Sequence, residues 1–167
     1  MHLDMTRDRN AYAFSTEIRV RLSETDAVGI VYFGSFSTYM DVGRMDYLNH
    51  LGLQKYGAED TGAVPGERKL GIVRDLIPGA VVSSQLNFHN PAYYNDILVV
   101  HVRLARIGRT SYTFHFLMQN KSRPHVVATG ALTLAWLDAR FQPLPIPEDF
   151  RAAVRAFEGD RLEEIRP

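Results

Sequence analysis

The chain contains no cysteine. Disulfides, thiolate zinc sites, iron–sulfur clusters and a cysteine nucleophile are therefore excluded, and nucleophiles must come from oxygen or nitrogen side chains. It has no excess of either charge, since 19 Lys and Arg face 19 Asp and Glu. A balanced chain lacks the field that holds a nucleic acid or an anionic membrane, so neither partner is expected. It has no apolar run near the roughly 18 residues that span a bilayer. Met1 to Phe14 carry Asp4, Arg7, Asp8, Arg9 and Asn10 where a secretory leader needs its apolar stretch, so a loose polar N-terminus and a cytoplasmic protein are expected. Also missing are a Gly-rich phosphate loop, a Gly-x-Ser-x-Gly elbow and a dinucleotide fingerprint, which argues against kinases, α/β-hydrolases and dehydrogenases. The six histidines, at 2, 50, 89, 101, 115 and 125, show no paired ligand spacing, and no metal site is expected.

What is present reads as one globular α+β domain. Its 167 residues suffice to bury about 70% of the unfolded surface without staples. Thr16 to Leu22 alternate polar and apolar residues, placing Ile18, Val20 and Leu22 on one side of a strand. From Ser35 to Leu51 the apolar residues recur at helical spacing, with Gly43 in the middle of the face. A glycine there costs about 1 kcal/mol against Ala, and close approach of the helix backbone to a sheet would offset it. Gln54 to Lys69 reads as a mobile loop. Val81 to Phe88, Ile97 to Ile107, Ser111 to Gln119 and Val126 to Leu137 read as strands of an antiparallel sheet, with Trp136 in the core. Pro147 to Phe157 reads as a peripheral helix. The expected divisions are a flexible segment 1–14, a domain 15–146, and a helix and tail 147–167 belonging to the same domain.

The segment from Glu24 to Phe36 is where chemistry concentrates. Asp26 sits on a loop among Ala27, Val28, Ile30, Val31 and Tyr32, and the unpaired N–H groups of a helix's first turn follow. A carbonyl held there meets backbone donors while the carboxylate acts on the carbonyl carbon or on water. The competing reading is that Asp26 only caps a turn. On the helix, Asp41 is an alternative acid, with a salt bridge to Arg44 as its ordinary explanation. Tyr93 and Tyr94 are adjacent, so at most one lines a pocket.

This segment resembles the signature of hotdog-fold acyl-CoA thioesterases of the 4-hydroxybenzoyl-CoA thioesterase type: an Asp after strand one, two residues, Gly, a hydrophobic pair, an aromatic, then the central helix. Tyr39 to Leu48 resembles that family's helix, Asn90-Pro91-Ala92 with Asp96 its strand connection, and Gly108-Arg109-Thr110-Ser111 its turn. The resemblance implies an antiparallel sheet wrapped round a long central helix. It implies homodimers, in some cases dimers of dimers, that hydrolyse acyl-CoA or acyl-carrier-protein thioesters. No cofactor is implied, coenzyme A being part of the substrate. Asp26 inherits the catalytic position, as nucleophile or general base, with Tyr32 beside it and the backbone N–H of Phe33 as oxyanion donor. Val31, Gly34, Tyr39, Arg109, Thr110 and Ser111 inherit contacts to substrate, with Arg106 and Arg109 near the coenzyme's phosphates or simply solvated. Many relatives carry His where this chain has Phe33, so an imidazole's contribution is missing while a main-chain donor is kept. Two other functions fit the same fold: a hydratase or dehydratase on a hydroxyacyl thioester, whose His would have to be as distant as His50, and a non-catalytic acyl-binding protein, which would not need Asp26.

Overall fold

The computed structural model describes residues 5–53, 79–123, 125–137 and 141–165. The proposed loop from Gln54 to Lys69 lies outside them. Five antiparallel strands form the sheet in the order β1-β3-β4-β5-β2: β1 Phe14–Arg19, β2 Ala80–Phe88, β3 Ile97–Ile107, β4 Ser111–Asn120 and β5 Val126–Ala135. A two-residue strand, β6 Glu163–Glu164, runs parallel to the end of β3. Helix α1, Ser35–His50, crosses one face, and α2, Glu148–Glu158, closes one end. No helix among the described residues is long and apolar enough to cross a membrane.

The expected strands and helices are all present, with two adjustments. Strand β1 stops at Arg19, and Leu22, expected on the buried side, is 68% exposed. The cause is local: the Glu24 carboxylate accepts the backbone N–H of Arg21 at 2.8 Å and winds Leu22–Glu24 into a 3₁₀ turn. Helix α1 matches its expected span, but at 16 residues it is of ordinary length, not long.

The core forms between α1 and the inward side chains of the sheet. Tyr39, Met40, Tyr47 and Leu48 from the helix meet Val100, Val102, Phe114 and Phe116 from β3 and β4, all essentially inaccessible. Gly43 explains itself here. A Cβ at that position would lie 3.0 Å from methyl groups of both Val100 and Val102, so the helix sits lower on the sheet than any side chain would permit.

Part of the sheet's other face, around His101, Arg103 and His89, is covered by the segment from Met5 to Tyr12. Residues that read as a loose end are anchored at two points, with Arg7 to Asn10 exposed between them: Met5 and Tyr12 are buried, and the Tyr12 ring lies 6.2 Å from that of His101 with the Arg103 guanidinium over it. Arg7 meets His89 Nδ1 at 3.1 Å, and His89 Nε2 meets the Thr129 hydroxyl at 3.0 Å. Helix α2 is peripheral in position yet keyed to the core through Glu158, which is wholly buried. Its carboxylate accepts the Tyr47 hydroxyl at 2.7 Å and the Leu104 N–H at 2.9 Å, beside a break in the β3–β4 register.

Candidate active site

Between β1 and α1 the chain folds a tight loop whose apex carries Asp26. Its backbone N–H donates to the Ile30 carbonyl at 2.9 Å, its carbonyl accepts from Gly29 at 3.0 Å, and Oδ1 accepts the Val28 N–H at 2.9 Å. This is an Asx turn, made possible by Gly29 at φ 86°. The loop is anchored outside itself as well. Val31 N–H donates to Ala92 at 2.9 Å, and Ile30 bridges to Tyr93. The Tyr93 segment is held in turn by Asp96, which accepts the Tyr93 N–H and pairs with Arg123. Asp26 is half-buried, and Oδ2 has no hydrogen-bond partner among the described residues. The capping role and an available carboxylate oxygen therefore coexist in one side chain.

The start of α1 follows directly. Tyr32 N–H donates to the Glu24 carbonyl at 2.8 Å, and Ser35 N–H to the Tyr32 carbonyl at 2.9 Å. The N–H groups of Phe33 and Gly34 lie between these and have no acceptor among the described residues. Both belong to the start of α1, where partial positive charge gathers. A Cβ at Gly34 would meet the half-exposed Tyr32 ring at 2.5 Å, so a side chain there would have to move that ring. Phe33 is 63% exposed and its ring lies 4.5 Å from that of Tyr32, giving the loop an apolar rim. Tyr94 and Val28 are exposed as well.

The remaining candidates fall in different places. Val31 and Tyr39 are buried in the core. The Tyr39 hydroxyl donates to Glu24 Oε2 at 2.8 Å, and burial first, then the Glu24 carboxylate, hold this phenol well above its ordinary pKa. Asp41 is exposed and pairs with Arg44, whose own side chain is buried. Arg109, Thr110 and Ser111 occupy the β3–β4 turn. The Asp26 loop adjoins the beginning of β3, where Val20 N–H donates to Asp96, whereas the turn follows its end. Ten residue steps at about 3.3 Å each put roughly 30 Å between the two ends. Within one chain the structure does not bring them together. Beside the turn, Arg106, Ser111, Thr113, Thr133 and Ser83 line a groove of about 360 Å³. His50 stacks on Phe14 and Phe157 at the far end of α1. Among the described residues no three His, Asp or Glu side chains gather as a metal site. The sequence reading missed Glu24 as an organiser, because all its partners but Arg21 lie 8, 11 and 15 positions away and leave no local pattern.

Residues 20–154 match the model of the family described as the thioesterase-like superfamily. A 1,4-dihydroxy-2-naphthoyl-CoA hydrolase of Prochlorococcus marinus (strain MIT 9313) is 26% identical over 98 residues, 58% of this chain and 60% of that protein. The chloroplastic acyl-acyl carrier protein thioesterase ATL3 of Arabidopsis thaliana is 24% identical over 137 residues, 81% of this chain and 64% of that protein. The chain thus aligns with under two thirds of the length of these two relatives. Among solved structures, a thioesterase from Thermus thermophilus complexed with coenzyme A and Zn superposes with a TM-score of 0.69 at 23% identity, covering 94% of this chain and 98% of that one. That likeness gives the fold, a hotdog arrangement of sheet over helix. With the family model spanning the whole stretch from the end of β1 to the middle of α2, Asp26 loop included, the chain belongs to the thioesterase-like superfamily, whose enzyme class is thioester hydrolase.

Proposed function

We propose that this chain hydrolyses an acyl-CoA thioester to free acid and thiol, as a homodimer, with Asp26 as the reacting carboxylate. The observation that carries the reading is a turn-fixed carboxylate on the loop that leads into two N–H groups, those of Phe33 and Gly34, which have no acceptor among the described residues at a helix N-terminus. The substrate carbonyl oxygen accepts those two donors, which strengthen their hold as negative charge develops on it. Asp26 then works in one of two ways. As a nucleophile it bonds to the carbonyl carbon, expels the coenzyme A thiolate and leaves a mixed anhydride that water cleaves. As a general base it takes a proton from a water that attacks the same carbon. Both routes yield acid and thiol and require no cofactor, coenzyme A arriving as part of the substrate. The exposed rings of Tyr32 and Phe33 provide an apolar wall for the acyl group.

The dimer supplies what one chain lacks. Strand β2 is an edge, with no described strand on its far side, and Val81 and Val82 are exposed on it. Its Phe88 end touches Phe36 at the start of α1, while its Ala80 end pairs with Ala135, which has Ser111 on its other side. Two β2 strands paired antiparallel about a twofold place one chain's Ala80 end against the other's Phe88 end. The partner's Arg109, Thr110 and Ser111 then approach the Asp26 end, where a cationic turn meets the coenzyme's phosphates. The 4-hydroxybenzoyl-CoA thioesterase type rests on the Asp26-to-Phe36 motif, and acyl-carrier-protein thioesters present the same phosphopantetheine arm.

A panel of benzoyl-, 4-hydroxybenzoyl-, butanoyl-, hexanoyl- and palmitoyl-CoA, with a phosphopantetheinylated carrier loaded likewise, tests the proposal by thiol release. The absence of cysteine means that a thiol reagent reads product alone. Release from at least one substrate is expected. Binding without release from any of them would make the chain an acyl-binding protein instead.

A further inference from the structure

Glu24 takes no part in the chemistry above, yet its contacts bracket the two donors. Its side chain is only 14% exposed. Oε2 accepts the Arg21 N–H and the Tyr39 hydroxyl, each at 2.8 Å, and Oε1 lies 3.6 Å from the exposed Arg21 guanidinium. The main-chain carbonyl of the same residue accepts Tyr32 N–H at 2.8 Å and the Ser35 hydroxyl at 3.1 Å. Tyr32 and Ser35 flank Phe33 and Gly34 directly. The carbonyl therefore holds one donor from each flanking residue, the Tyr32 N–H and the Ser35 hydroxyl, while the middle pair has no acceptor among the described residues. Tyr39 lies one turn into α1, so the carboxylate fixes the helix against the same turn that delivers Asp26 two residues later. Burial and the carboxylate keep the Tyr39 phenol protonated at any working pH, so it remains a donor.

We propose that Glu24 is a positioning residue that sets the Phe33 and Gly34 N–H groups relative to Asp26; the inference rests on the thioesterase reading above and deepens it. Its carboxylate carries the α1 side of the alignment through Tyr39, and its carbonyl carries the loop side through Tyr32 and Ser35. A displacement near 1 Å at such donors costs about 100-fold in rate. The loss falls on kcat, because the donors contribute most when charge has developed on the carbonyl oxygen.

The test uses the full chain and three variants: Glu24→Ala, Glu24→Gln and Tyr39→Phe. Each is assayed for kcat and KM on the best acyl-CoA of the panel. Each is also titrated with two inert CoA analogues, a thioether lacking the carbonyl and a ketone with a methylene in place of the thioester sulfur. Glu24→Ala and Tyr39→Phe are expected to lose about 10- to 100-fold in kcat with KM within about twofold. Their preference for ketone over thioether narrows, and Glu24→Gln, whose amide oxygen accepts the same two donors, regains most of both. Tyr39→Phe deletes one oxygen from a packed ring and so carries the test if Glu24→Ala does not fold. Full kcat in folded Glu24→Ala and Tyr39→Phe, or a loss of kcat with the ketone preference intact, overturns the inference. If those variants are normal while Asp26→Asn is inactive, the inference fails and the thioesterase reading survives. A wild-type chain that hydrolyses nothing overturns both.

Discussion

The turn-closing role of Asp26 leaves room for the proposed catalytic one, because one carboxylate oxygen closes the turn while the other is uncommitted among the described residues. The Asp26 turn and the free Phe33 N–H were legible because turn, glycine and helix start are contiguous and each is a local signal, whereas Gly34 was read as a substrate contact and not as a second free N–H. The 30 Å separation of the Arg109 turn was not legible, since it depends on the uninterrupted length of β3 and on which strands pair. A matched pair of substitutions isolates the main-chain donor. Phe33→Ala keeps the N–H and is expected to retain kcat within about tenfold, whereas Phe33→Pro deletes it and is expected to lose the roughly 10²–10³-fold typical of one oxyanion donor. Steady-state rates of the two folded proteins, confirmed by circular dichroism, decide it. Equal rates would remove Phe33 from the site.

Elements with strong periodicity declared themselves: β3 matches its expected bounds, β2 and β4 lie within one residue of theirs, and β5 ends two residues early. What periodicity hid was polar burial. Glu158 ends α2, and a glutamate there reads as solvated because Glu is rarely fully buried. It is buried because β1 ends with Phe14 opposite Val102, so the Leu104 N–H beyond it needs another acceptor; Tyr47 brings a second donor to the same oxygen, and Arg161 pairs with the other. Glu158→Ala is expected to cost about 2–4 kcal/mol, leaving both donors unpaired and a cavity beside them. Glu158→Gln, which keeps the accepting oxygen, is expected to cost less than half of that. Urea unfolding midpoints give the comparison, and a Gln variant as unstable as the Ala variant would show that the acceptor is not what matters.

For the molecule as a whole, the N-terminal segment and the β2 edge set how it responds to acid and to its own concentration. Burial and then Arg7 lower the pKa of His89, and burial, with Arg9 adding to it, lowers that of His101. Thr129 faces the first ring, while Tyr12 and Gln119 face the second. The unfolded chain binds protons at these histidines more readily than the folded one. Their contribution to stability is therefore complete above the ordinary value of about 6.5 and declines as pH falls through and below it. Stability measured by urea between pH 8 and 5 is expected to fall over that window, and the double variant His89→Gln/His101→Gln to flatten the slope. An unchanged slope would contradict this. Sedimentation is expected to show a dimer at micromolar concentration. Val82→Lys, which charges the exposed β2 edge, is expected to shift it toward monomer with loss of turnover, whereas a folded and fully active wild-type monomer would refute the two-chain site. The central claim, that Asp26 performs thioester hydrolysis, is met most directly by single-turnover thiol release from the best acyl-CoA by wild type and Asp26→Asn. The Asn variant keeps the turn's accepting oxygen but can act neither as base nor as anionic nucleophile. It is expected to fold and bind substrate as wild type does and to react at least about 10²–10⁴-fold more slowly. Wild-type rates in Asp26→Asn would contradict the account, above all if the matched helix variant Asp41→Asn were the inactive one.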